Sequence, residues 1–213
     1  MDFLNSIILL TNFIIVPGIT YGSQLALGAI GVTLIYGVLR FANFAYGDLM
    51  AFGTMIVILV TWFLQSKGIT FGLLPTALLA LPVGILLTIA VSLFFDKTVF
   101  EYYRNKKSDP VTFIVVSLGI MFVLNAVVRI IIGPNDINFM DGHKFIMKAR
   151  EFKQMTGLKE GLALKSTQVI TLITTIITCS ILFYFLNKTK TGKSMRAYSD
   201  NEDLALLSGI DPK

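Results

Sequence analysis

Apolar residues fall in long blocks along this chain, with polar residues gathered between them. The blocks run Phe3 to Val16, Ile19 to Leu39, Gly47 to Leu64, Phe71 to Phe95, Val111 to Ile132 and Ser166 to Leu186. A helix needs about 20 residues to cross the hydrocarbon of a bilayer, so the last five blocks predict spanning helices. The first has about 14 residues, short of that length. Asn5, Ser6, Thr11 and Asn12 also interrupt it, which predicts an interfacial or partly inserted helix ended by Pro17 and Gly18, with a spanning helix as the alternative. The expected fold class is therefore all-α: a polytopic membrane helix bundle of five spanning helices plus a short N-terminal helix.

Polar positions inside or beside these blocks carry the candidate chemistry. Gly22, Ala26, Ala29, Thr33 and Gly37, extended by Gly18, recur every three or four residues and form one small-residue face suited to close helix approach. Ser23 and Gln24 are the polar side chains on that helix able to line a pathway. The joint from Arg40 to Asp48 is the most informative break. Lipid cannot satisfy the backbone groups that a break frees, so protein or a wet cavity must cover them. Arg40 at the end of one helix and Asp48 in the first turn of the next each have the sign the helix dipole prefers, which fits capping and a local ion pair. Alternatively Asn43, Tyr46 and Asp48 face a wet passage, because ionisable residues at a break between spans commonly mark one. The depth of the joint decides between the two.

Further along, Trp62 and Phe63 fit a headgroup boundary, and Pro82 is expected to kink its span. Asn125 lies deep enough in its block to make an interhelical hydrogen bond or to contact a solute, and Arg129 can snorkel to the interface. The insertion from 133 to 165 reads as a loop. Phe145, Ile146, Ala149 and Phe152 give part of it an amphipathic face that suits either the membrane surface or a partner. Thr167, Thr171, Thr174 and Thr178 line one side of the last block, where hydroxyls bonding back to their own helix make a packed polar seam.

Composition agrees with the block pattern: 54% hydrophobic residues, 15% charged and a mean hydropathy of +0.75 exclude an ordinary soluble domain. Met1 and Asp2 lead directly into the first block without a basic n-region, so no cleavable signal peptide is evident. Cys179 is the only cysteine and His143 the only histidine, which excludes an internal disulfide and any site needing two imidazoles. His143 reads as a solvated loop residue, and no acid, base and nucleophile converge, so no catalytic residue, metal or cofactor is assigned. The net charge of +5 matters through its placement. Lys97, Arg104, Lys106 and Lys107 in the 96 to 110 loop, and Lys188, Lys190, Lys193 and Arg196 after the last block, must lie on one side. The positive-inside rule puts both in the cytoplasm and leaves 65 to 70 and 133 to 165 outside.

The tail, TKTGKSMRAYSDNEDLALLSGIDPK, predicts one more helix. Ser199 with Glu202 makes a capping box, and Asp200 with Asp203 offers an overlapping alternative. Leu204, Ala205 and Leu207 give an apolar face; Gly209 fits a C-terminal cap and Pro212 stops continuation. A helix of about Asn201 to Ser208 is marginal alone in water and is expected to dock on something.

GVLRFANFAYGDLMAFG, VSLFFDKTVFEYYR and TKTGKSMRAYSDNEDLALLSGID, in this order and spacing, resemble permeases of the branched-chain amino acid ABC uptake family, over nearly the whole chain. The resemblance implies a bacterial-type cytoplasmic membrane protein whose segment 187 to 213 is the cytoplasmic coupling element fitting a cleft on an ATP-binding subunit. Arg196, Ala197, Asn201, Ala205, Leu207, Gly209 and Ile210 occupy matching positions, and Glu202 and Leu204 belong to the same short helix. It further implies alternating access driven by a separate ATPase, since no GxxxxGK[ST] phosphate loop occurs in the chain. The implied partners are ATP-binding ABC subunits, a second permease subunit, an extracellular or periplasmic solute-binding protein and the lipid bilayer, with no nucleic acid. Two departures are visible. Family members commonly carry histidine and glutamate where this chain has Tyr46 and Asp48, and tyrosine is no near-neutral proton carrier. Such permeases also continue through further spans, so residues 1 to 213 look like the N-terminal two-thirds of a single permease domain. A secondary transporter or channel subunit would share the broken helix but need no docked cytoplasmic helix; a non-transporting assembly subunit is the other alternative.

Overall fold

Helix begins at Asp2 and continues to Leu39, as α1 (Asp2–Leu10), a π-turn (Thr11–Ile15) and α2 (Val16–Leu39) without a break. The Val16 N–H donates five residues back to the Thr11 carbonyl. This wider turn falls immediately before Pro17, which has no N–H to give and whose ring crowds the preceding turn of a regular helix. Pro17 and Gly18 therefore do not end the first helix, contrary to expectation. A computed structural model describes residues 2–72, 74–135, 139, 141, 145–157 and 160–209, leaving aside the side chains of Asp2, Met155 and Glu202. The expectations for His143, Ile210, Pro212 and the Glu202 side chain fall outside these described residues. Among the described residues, five helices are long and apolar enough to cross a membrane: Phe3–Leu39, Ala45–Ser66, Ala77–Asn105, Pro110–Ile132 and Ser166–Lys188. The number agrees with the sequence pattern, although the first short block is part of the first span.

Two compact units share the chain, Met1–Leu39 with Lys144–Lys213, and Arg40–His143. In the first unit α2 packs against α8 (Ser166–Lys188). The polar insertion of this unit forms strand β1 (Phe145–Met147), helix α7 (Ala149–Thr156) and strand β2 (Leu164–Lys165), the strands pairing antiparallel with Phe145 opposite Lys165. Phe145 and Ile146 thus sit on a strand and only Ala149 and Phe152 on a helix, which corrects the single amphipathic face. Backbone pairing with β2 is what draws them into extended conformation. The neighbouring backbone is tied to the first helix by two amides: Asn5 Oδ1 accepts from the Glu160 N–H at 3.4 Å and Asn12 Oδ1 from the Ala163 N–H at 3.3 Å. On α8, the Thr174 hydroxyl of the expected seam donates to the carbonyls of Ile170 and Thr171, and Thr175, which lies outside that seam, also donates to the Thr171 carbonyl.

The second unit is built on α3 (Ala45–Ser66), which packs against both α4 (Ala77–Phe95) and α6 (Pro110–Ile132). The α3–α4 crossing is close because of two glycines. A Cβ at Gly53 would fall 2.7 Å from Thr88 Oγ1, and one at Gly84 would collide with Val57. On the predicted small-residue face of α2, by contrast, a Cβ at Gly18 or Gly22 would meet nothing within 4 Å among the described residues, and only Gly37 is crowded, 3.2 Å from Ser199 Oγ. The helix after Phe71 starts later than its apolar block, at Ala77, where Asp141 Oδ2 accepts from the Ala77 N–H while its Oδ1 accepts from Gln65 Nε2 at 2.9 Å. Asp141 therefore caps a helix remote in sequence. Helix continues through Pro82 and past Phe95 by a π-turn (Asp96–Phe100) into α5 (Glu101–Asn105). Most of the expected 96 to 110 loop is therefore helical. Arg104 reaches back across the π-turn to Asp96 with two parallel bonds of 2.8 and 2.9 Å, which holds the polar extension in helical form.

Candidate functional site

The break between α2 and α3 is shorter than expected. Arg40 takes a positive φ of 60°, and helix resumes at Ala45. Its freed donors are met by protein: Asn43 Oδ1 accepts from the Ala45 N–H at 3.1 Å, and Ser117 Oγ of α6 accepts from the Phe44 N–H at 3.1 Å. Ser117 is wholly buried, and its own hydroxyl donates to the Ile114 carbonyl at 2.8 Å. Three phenyl rings close over the break. Phe41 stacks on Phe113 at 5.1 Å and tilts against Phe100 at 5.8 Å. Ser117 lies about 10 Å along α6 from its first residue, at 1.5 Å per residue. The break is therefore level with interior turns of α6, and protein groups answer for these two backbone donors.

One turn into α3, Asp48 Oδ1 accepts from Asn125 Nδ2 at 2.9 Å, and Asn125 Oδ1 accepts from Arg129 Nε at 2.8 Å. Asn125 thus makes the interhelical bond that its depth suggested, and it separates an acid from a guanidinium by one amide. Arg129 engages this chain of bonds as well as sitting exposed near the end of α6. Tyr46, two residues before Asp48 on α3, is half-buried, its N–H donating to the Asn43 carbonyl at 3.4 Å. Of the predicted pathway residues, Asn43, Tyr46, Asp48 and Asn125 share the second unit, and Asp48 and Asn125 touch. Ser23 and Gln24 belong to the first unit, where Ser23 donates to the Thr20 carbonyl at 2.7 Å and Gln24 is exposed. Ser117 and Arg129 were not singled out as site residues. Their signal was faint: Ser117 and Asn125 are the two polar side chains between Phe113 and Val128.

The C-terminal site is a helix pair. Thr189 Oγ1 accepts from the Gly192 N–H at 3.0 Å and starts α9 (Lys190–Asp200), a helix the sequence reading did not separate from the basic stretch. Gly192 sits so close to the end of α8 that a Cβ would collide with the Phe185 carbonyl, and Arg196 Nη1 donates to Asn187 Oδ1 at 2.9 Å. Next, Asn201 Oδ1 accepts from the Leu204 N–H at 3.1 Å and starts α10 (Glu202–Leu207), ended at Ser208 with Gly209 at φ 81°. The cap is thus Asn201, in place of Ser199 or Asp200, because α9 keeps both of those residues helical. Ala205 is the buried residue of the short helix, while Leu204, Leu206 and Leu207 are exposed, Leu207 at 85%.

Five apolar helices, a hydrogen-bonded acid, amide and guanidinium between two of them, and a polar helix pair after the last describe a multi-span α-helical membrane protein. Within that class the chain belongs to the family described as branched-chain amino acid transport system / permease component, whose model matches residues 14–213. It is 25% identical over 198 residues to the high-affinity branched-chain amino acid transport system permease protein LivH of Escherichia coli K12, covering 91% of this chain and 60% of that protein. LivH of Salmonella typhimurium is 24% identical over the same shares, and the permease protein BraD of Pseudomonas aeruginosa is 23% identical over 201 residues, 92% of this chain and 62% of its own length. The chain thus spans about 60% of the curated relatives it matches. No solved structure matches it.

Proposed function

We propose that this chain supplies part of the translocation pathway of an ATP-driven importer for branched-chain or related amino acids, and that it receives a separate ATP-binding subunit on the α9–α10 pair. The observation that carries this reading is the bare leucine edge of α10. Three exposed leucines on a six-residue helix outside the last span are a surface for another protein, since a helix that short gains little by standing free. Motion of that edge has a path inward. Thr189, Gly192 and the Arg196 to Asn187 bond fasten α9 to the end of α8, and α9 also packs on α2. Residues 187 to 213 are then cytoplasmic, 133 to 165 extracellular, and the membrane a bacterial-type cytoplasmic membrane, in line with the basic flanks. A second permease subunit and an extracellular or periplasmic solute-binding protein complete the machine. Asp48, Asn125 and Arg129, with Tyr46 two residues before Asp48, are the groups of the second unit that meet the solute or gate its passage.

The direct test is Leu204→Asp together with Leu207→Asp in the protein expressed with its ATP-binding partner. The variant is expected to reach the membrane and lose co-purification of the ATPase, with uptake abolished. Undiminished association and uptake would refute the docking role.

A further inference from the structure

Lys165 is the last residue before α8, one of the helices able to span, and Phe145 lies directly opposite it in the strand pair. Paired strands are about 5 Å apart, so β1 and the start of α7 are held at the level where α8 leaves the hydrocarbon. Asn5 and Asn12 hold residues 160 and 163 to the first helix in the same unit. The open side of this module combines two chemistries. Lys148, Arg150 and Lys153 are exposed, and Ile146, two residues before Lys148 on the strand, stands 57% exposed. Of the acids described between 145 and 165, Glu151 is exposed and accepts from the Lys148 N–H at 3.3 Å, offsetting one of these cations, and Glu160 is half-buried. Positive charge is thus in excess on the open side. At headgroup depth, cations beside an apolar side chain match phosphate oxygens above acyl chains.

We propose that the β1–α7 module seats on anionic phospholipid, with Lys148, Arg150 and Lys153 meeting headgroup phosphates and Ile146 entering the top of the acyl layer. The assignment holds for either leaflet and does not rest on the transport reading. The test uses the protein with Cys179→Ser and Ile146→Cys, labelled with an environment-sensitive fluorophore and placed in nanodiscs of phosphatidylcholine, alone or mixed equally with phosphatidylglycerol. The label is expected to be quenched by headgroup spin-labelled lipid, and phosphatidylglycerol is expected to be enriched among lipids retained after mild extraction, counted by native mass spectrometry. Lys148→Gln with Lys153→Gln lowers that enrichment roughly fivefold for each cation removed. Lys148→Arg with Lys153→Arg, which keeps the charge and controls for folding, leaves it unchanged. A label unquenched in both lipids overturns the proposal. So does enrichment indifferent to the glutamine pair, and so does a label shielded only when a soluble partner protein is added.

Discussion

At residues 43 and 201 an asparagine amide oxygen takes a backbone N–H at the start of a helix, from Ala45 in one case and Leu204 in the other, at 3.1 Å in both. The surroundings are opposite. Ala45 is 1% exposed and Phe41, Phe100 and Phe113 close over its break, whereas α10 leaves three of its leucines bare. The difference teaches that the local chemistry of a break does not say where it lies; the apolar side chains around it do. A break among spanning helices has to be completed by the protein itself, because lipid offers no donor or acceptor. A break in water needs no such completion, and under the proposed function the exposed apolar edge of α10 is where a second protein completes it.

Three perturbations sharpen or break this contrast, beginning with the largest. Ser117→Ala strands the Phe44 N–H away from water and is expected to cost about 1–3 kcal/mol. Equilibrium unfolding in mixed micelles measures it, and unchanged stability would mean that water reaches the first break after all. Asp48→Asn keeps the shape of the Asp48, Asn125 and Arg129 chain but removes its negative charge. Uptake by the assembled transporter is expected to fall about tenfold, equivalent to 1.4 kcal/mol, with assembly intact. Wild-type uptake kinetics would return Asp48 to a capping role. Asn201→Ala removes the exposed cap at a cost of about 1 kcal/mol. Faster amide exchange confined to α10 is the expected readout; faster exchange at Ala45 as well would show that the two breaks are not independent.

The five spans were legible because hydrocarbon leaves a chain few choices, and about 20 apolar residues in a row have one reading. The first break was legible from Asn43 and Asp48, polar residues where none is tolerated casually. Its completion was not, because Ser117 lies 73 residues away from Phe44 and a lone serine in an apolar run predicts no particular partner. Asp141 escaped notice for the same reason: it looks like a solvated loop acid until α4 presents its first N–H to it. Asn5 and Asn12 were read as defects in a short helix, whereas they are the hooks for a distant loop. In the tail the short helix is where the sequence expects it to within one residue at each end, and the cap lies one or two positions later, since several adjacent residues can cap a helix and tertiary packing of α9 selects among them.

The uninterrupted rod from Phe3 to Leu39 has 37 residues. At 1.5 Å per residue it is about 55 Å long, against about 30 Å of hydrocarbon, so it must lean steeply or project well beyond one leaflet. Its two asparagine hooks are toward the far end from Leu39. The depth at which this rod rides therefore sets how high the 160–163 backbone is carried above the lipid. Bilayer thickness becomes a variable that the chain registers through geometry alone.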